Sequence, residues 1–65
     1  DKAIERFLKV IQLDPKNSEA IFLLAELYER GGDKKKAAEW YEQGKKFVEN
    51  PELMKALDEK IKSLK

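Results

Sequence analysis

Residues 18–44 read SEAIFLLAELYER, then GGD, then KKKAAEWYEQG, and the fold is decided in this stretch. At 100° per residue, Ala20, Ile21, Leu23, Leu24, Ala25, Leu27 and Tyr28 fall on one broad helical face. Ala37, Ala38, Trp40, Tyr41, Gly44, Phe47 and Val48 fall on another. Gly31-Gly32 ends the first helix and Asp33 caps the second. Similar punctuation recurs on either side. Asp14-Pro15-Lys16-Asn17 stops an earlier helix and offers Asn17 as the next N-cap. Asn50-Pro51 is a cap followed by proline at the first helical position, where its missing N–H costs nothing. The punctuation predicts four helices, over 1–13, 18–30, 34–49 and 51–64. Their short connections should make sequential helices pack antiparallel.

Composition agrees and excludes whole classes of chemistry. Sixty-five residues make one domain at most, near the lower limit for a self-standing core. Ala, Glu, Lys, Leu and Arg supply 37 of them, while Val, Ile and Thr supply six, so the class is all-α. There is no Cys and no His, and Ser18 and Ser63 are the only hydroxyls outside Tyr. Thiol catalysis, disulfides, cysteine zinc sites and His-based general base chemistry are therefore absent. Carboxylates lie on helix faces near Lys or Arg and read as solvated surface, so no catalytic residue, cofactor or metal site is expected.

The net charge of +1 argues against a general polyanion binder. Lys34-Lys35-Lys36 and Lys45-Lys46 are the only basic clusters, balanced by Asp33, Glu39, Glu42 and Glu49. They read as an outer face, and no nucleic acid partner is expected. No apolar run approaches the roughly 18 residues needed to cross a bilayer, so no membrane partner is expected either.

Face width separates the first helix from the last. In the first, Ala3, Ile4, Phe7, Leu8, Val10, Ile11 and Leu13 spread over roughly 220°, too broad for one neighbour. In the fourth, Leu53, Met54, Leu57, Ile61 and Leu64 occupy only about 100°, with charged residues around most of the rest. A one-sided final helix closes a stack, and a two-sided first helix, starting at Asp1 without a cap, expects an upstream neighbour. The sequence thus reads as the C-terminal end of a repeat array, with an upstream helix missing.

A 34-residue shift aligns Ala3-Ile4-Glu5-Arg6-Phe7 with Ala37-Ala38-Glu39-Trp40-Tyr41 and Leu13 with Phe47. With this period and pattern the chain resembles the tetratricopeptide repeat (TPR) family of 34-residue helix-turn-helix units. With Ser18 as the first position of a unit, Leu24, Ala25, Tyr28, Ala37 and Tyr41 match the family pattern, as do Gly32 and Asp33 in its turn. Ile21 stands where the family prefers Trp, and Gly44 replaces its usual Ala. In the preceding half-unit Ala3, Phe7 and Leu13-Asp14-Pro15 match, while Val10 stands where Ala is usual. The closing proline is displaced to Pro51, and Lys45 replaces a commonly apolar residue. The resemblance divides the chain into the second helix of an incomplete unit (1–17), one complete unit (18–50) and a capping helix (51–65). Gly44, costing roughly 1 kcal/mol against Ala in a helix interior, reads as a close backbone approach.

The resemblance also implies a function, since the first helix of each TPR unit lines a concave surface that holds a peptide or partner helix. On this chain that inner face is Glu19, Phe22, Leu23, Glu26, Glu29 and Arg30. Phe22, a large aromatic among charges, has the look of a contact anchor. The Lys, Asn and Arg clamp by which some TPR domains grip a C-terminal carboxylate is absent, because Phe22, Leu23 and Glu26 hold the corresponding places. A ligand should instead offer an apolar residue flanked by Lys or Arg. The expected function is a protein-interaction module. The alternative is a structural end-cap that self-associates as a homo-oligomer through the uncovered side of the first helix, at Ile4, Leu8 and Ile11. Electrostatic binding of an acidic partner through Lys34–Lys36 ranks third.

Overall fold

The computed structural model describes residues 2–64 as four helices: α1 (Lys2–Leu13), α2 (Ser18–Arg30), α3 (Lys34–Lys45) and α4 (Pro51–Leu64). Among the described residues there is no strand. The expectation about an uncapped start at Asp1 lies outside the described residues.

Local chemistry accounts for the helix boundaries. The Asn17 side chain accepts from the Ala20 amide at 3.1 Å, and Asp33 does the same for Lys36 at 3.2 Å. Asn50 caps α4 by accepting from the Glu52 amide at 2.9 Å. Each cap satisfies a donor that the first helical turn leaves without a partner. At the end of α2, Gly32 takes a φ of +89°, the left-handed region that a side chain disfavours. The Asp33 amide donates to the Tyr28 carbonyl at 2.9 Å and the Gly32 amide to the Glu29 carbonyl at 3.1 Å. This pair of bonds is the Schellman arrangement, which reverses the chain sharply.

One boundary differs from expectation. The third helix stops at Lys45 instead of continuing to residue 49. Lys46, Phe47 and Val48 donate to Gln43, Gly44 and Lys45, three residues back, at 3.3, 3.0 and 3.2 Å. The last turn has tightened to three-residue hydrogen bonding. Asn50 must then leave helical geometry, because the residue before a proline is pushed toward extended conformations. Phe47 accordingly does not join the core face expected of it and stays 41% exposed.

Helices adjacent in sequence are adjacent in space, α1 on α2, α2 on α3 and α3 on α4, in antiparallel helix-turn-helix order. The main core joins three of them through Ala25 of α2, Ala37, Ala38 and Tyr41 of α3, and Leu57, Ile61 and Leu64 of α4. Ala25 and Ala37 are fully buried, so α2 and α3 approach closely where both lack bulk. Ile21 and Leu24 are the largest fully buried side chains.

The two ends of the chain pack differently. In α4, Leu57, Ile61 and Leu64 form one buried edge, and the charged residues around it are exposed. In α1 no residue is buried; Ala3, Ile4, Phe7 and Ile11 are half-buried, while Val10 and Leu13 are exposed, Leu13 by 80%. The first helix therefore keeps apolar surface beyond what α2 covers.

Candidate interaction surface

Two surfaces emerge from this packing, one on α2 and one between α1 and α3. The six inner-face residues expected on α2 divide between solvent and the seams with its neighbours. Glu19, Leu23, Glu26 and Arg30 lie within about 60° of arc on one side of the helix. Glu19, Leu23 and Arg30 are exposed and Glu26 is half-buried. Arg30 donates to Glu26 at 3.0 Å, an i,i+4 pair along the helix surface. Leu23, 40% exposed, thus stands between Glu19 and Glu26 one turn away on either side.

Phe22 and Glu29 lie about 70–90° further round the helix, on the flank that meets α3 and α4. The Phe22 ring stacks on Tyr41 with centroids 6.4 Å apart and packs against the core. It also lies over Gly44: a Cβ there would stand 2.9 Å from Phe22 Cδ1 and 3.0 Å from Cζ. Gly44 therefore marks a close approach, as expected, and the neighbour is the Phe22 ring. A large residue fills the gap that glycine leaves. Phe22 is in this way committed to the α2/α3 seam.

Glu29 links three helices. Its carboxylate accepts from the Tyr41 hydroxyl of α3 at 3.2 Å and pairs with Lys60 Nζ of α4 at 2.7 Å. The bond from Lys60 holds the Glu29 carboxyl below its ordinary value, although partial burial works against the shift. Burial and then the Glu29 charge push the Tyr41 phenol up to about 12. Lys45 and Asp58 form a second pair between the α3 end and α4.

The second surface is a groove of about 810 Å³ on the opposite side of the molecule. Leu8, Ile11 and Pro15 form one wall, Trp40, Gln43 and Phe47 the other, and Ile21 and Tyr28 of α2 the floor. Glu39 and Glu42 edge the α3 wall. Of the three expected self-association residues, Leu8 and Ile11 line this groove, while Ile4 is half-buried. The sequence reading did not single out Trp40 and Phe47 as surface residues. Their signal was the breadth of the apolar arc on the third helix, about 180° from Phe47 round to Ala38. Lys34 and Lys35 lie outside this groove, and Lys36 reaches over the Tyr28 ring at 5.6 Å.

No helix among the described residues is long and apolar enough to cross a membrane. A family model described as tetratricopeptide repeat matches residues 1–61, nearly the whole chain. No curated protein and no solved structure matches.

Proposed function

We propose that this chain, which belongs to the tetratricopeptide repeat family, holds a protein segment against the inner face of α2. Repeats of this family are protein–protein interaction modules and typically non-catalytic. One observation carries the finer reading: an exposed leucine, Leu23, framed by the carboxylates of Glu19 and Glu26. An apolar patch bounded by negative charge suits a peptide or helix with an apolar residue flanked by Lys or Arg. Phe22 and Glu29 support the face from its flank. The ring braces α2 on α3, and Glu29 ties α2 to both later helices, so the surface is largely preformed and little ordering is lost on binding. In this reading 18–50 is one complete unit, 1–17 is the second helix of a preceding unit, and α4 closes the stack with its single buried edge.

The test is a titration with a short peptide carrying one leucine among lysines, followed by anisotropy of a label on the peptide. Leu23→Ala and Glu26→Gln should each weaken binding several-fold. Binding that ignores both variants would remove the inner face as the site.

A second reading has its own support. Of the four helices, α1 alone buries no residue, and its exposed Leu8 and half-buried Ile11 border the groove. That favours self-association through α1 in a structural end-cap.

A further inference from the structure

We infer that Lys60 of α4 is a built-in stand-in for the ligand, seated on the Glu29 carboxylate until a lysine of the bound segment displaces it. This rests on the inner-face reading and adds to it an anchor on Glu29 and a competitor within the chain. The two oxygens of Glu29 have separate partners. Oε1 accepts from the Tyr41 hydroxyl at 3.2 Å, and Oε2 meets Lys60 Nζ at 2.7 Å. Lys34 adds a weaker attraction from further away. Tyr41 is buried and holds the carboxylate in orientation. Lys60 is the accessible partner, its side chain 43% exposed against 27% for that of Glu29.

The docking of α4 does not require Lys60. Leu57, Ile61 and Leu64 hold the helix on the core, and Lys45 pairs with Asp58 on its other flank. A lysine head is a flexible, well-hydrated point charge, and an exposed pair of this kind adds little to stability. It can be traded for an identical group at small cost. A ligand lysine remakes the same bond at Oε2, while Tyr41 keeps Oε1 in place. Glu29 lies three residues beyond Glu26 and about 60° round the helix, close enough for one bound segment to touch both. One ion pair breaks for each that forms, so the natural chain draws little net affinity from Glu29. The anchor is masked from within.

Anisotropy titrations with the peptide carrying one leucine among lysines test the exchange. Lys60→Gln should tighten binding several-fold, because the Glu29 charge then meets the peptide without a competitor. Lys62→Gln removes the same charge two residues away and should leave the affinity almost unchanged. Glu29→Gln retains an acceptor for Tyr41 but loses the charge, and in that background Lys60→Gln should bring no gain. Far-UV circular dichroism checks that each variant is folded. Suppose Leu23→Ala weakens binding but Lys60→Gln does not tighten it. The exchange is then overturned and the inner face stands. A gain that persists in the Glu29→Gln background, or that Lys62→Gln matches, overturns the exchange in the same way. Binding that ignores both Leu23→Ala and Glu26→Gln removes the inner face and the exchange with it.

Discussion

Replacing Gly44 by alanine adds one methyl group to the interior of α3, a change that stabilises an ordinary helix interior by roughly 1 kcal/mol. Here the methyl carbon would stand 2.9 Å from Cδ1 of Phe22 and 3.0 Å from Cζ. Unstrained carbon contacts lie at about 3.5–4.0 Å. Overpacking of this kind costs about 1–3 kcal/mol. The ring can escape only by leaving the seam, which sacrifices a stack on Tyr41 worth about 0.5–1.5 kcal/mol beyond its burial. Steric cost exceeds helix propensity, so the expected net effect is a loss of about 1 kcal/mol. In a chain of this size that lowers the melting temperature by about 4–8 °C. Phe22→Leu removes the obstructing ring, and in that background Gly44→Ala should become stabilising. Urea denaturation of the four proteins of the cycle should give a coupling of about 2 kcal/mol, within the range for residues in contact. If Gly44→Ala stabilises both backgrounds equally, the ring does not rest on Gly44 and the reasoning is refuted.

Three further outcomes follow from the Glu29 junction and the core. The Tyr41 phenol is raised from 10.0 to about 12, so the folded chain holds its proton more tightly than the unfolded chain. The resulting stability is complete below pH 10 and lost as pH climbs toward 12, at up to about 1.4 kcal/mol per pH unit. Tyr41→Phe should therefore show a shallower fall of its urea midpoint across that window; a slope equal to the natural chain's would contradict the assignment. Glu29 is shifted the opposite way, so its contribution is present above its ordinary value of 4.5 and lost as pH falls through the lower folded value. Lys60→Gln should move the Glu29 titration, followed by carboxyl NMR shifts, back toward that ordinary value, and no movement would show the pair to be inconsequential. Ile61→Ala empties a buried place between α4 and α3 and should cost about 2–5 kcal/mol, comparable to the whole stability of a domain this small. An unchanged thermal midpoint would mean that α4 is not part of the core.

Most of the architecture was legible in the sequence because its punctuation is local. Asn17, Asp33 and Asn50 each act within three residues of themselves, and Gly31-Gly32 closes α2 through bonds that span five residues at most. The third helix was read four residues too long for a related reason. Phe47 and Val48 extend the apolar periodicity, but the turn into Asn50-Pro51 competes for the same residues and prevails. Gly44 announced a close neighbour without identifying it, since Phe22 comes from another helix and only the tertiary arrangement brings the two together.

The candidate site was legible in part for the same reason. Helical spacing alone places Glu19, Leu23, Glu26 and Arg30 on one stripe. Whether the adjoining Phe22 and Glu29 face solvent or a seam depends on the angle at which α3 and α4 arrive. The groove is further from the sequence still, because Leu8 and Trp40 belong to helices that meet only across α2. A broad apolar arc revealed that α1 had surface to spare, but not that this surface faced Trp40 and Phe47 of α3.

The most direct measurement is a titration of the isotope-labelled chain, kept dilute, with a peptide bearing one leucine among lysines, followed by amide shifts in NMR. The account predicts that the largest movements fall on Glu19, Leu23, Glu26 and Arg30, with amides near Trp40 and Phe47 nearly still. Shifts gathered around Trp40 and Phe47 with a silent α2 stripe, or no shifts at all, would contradict it.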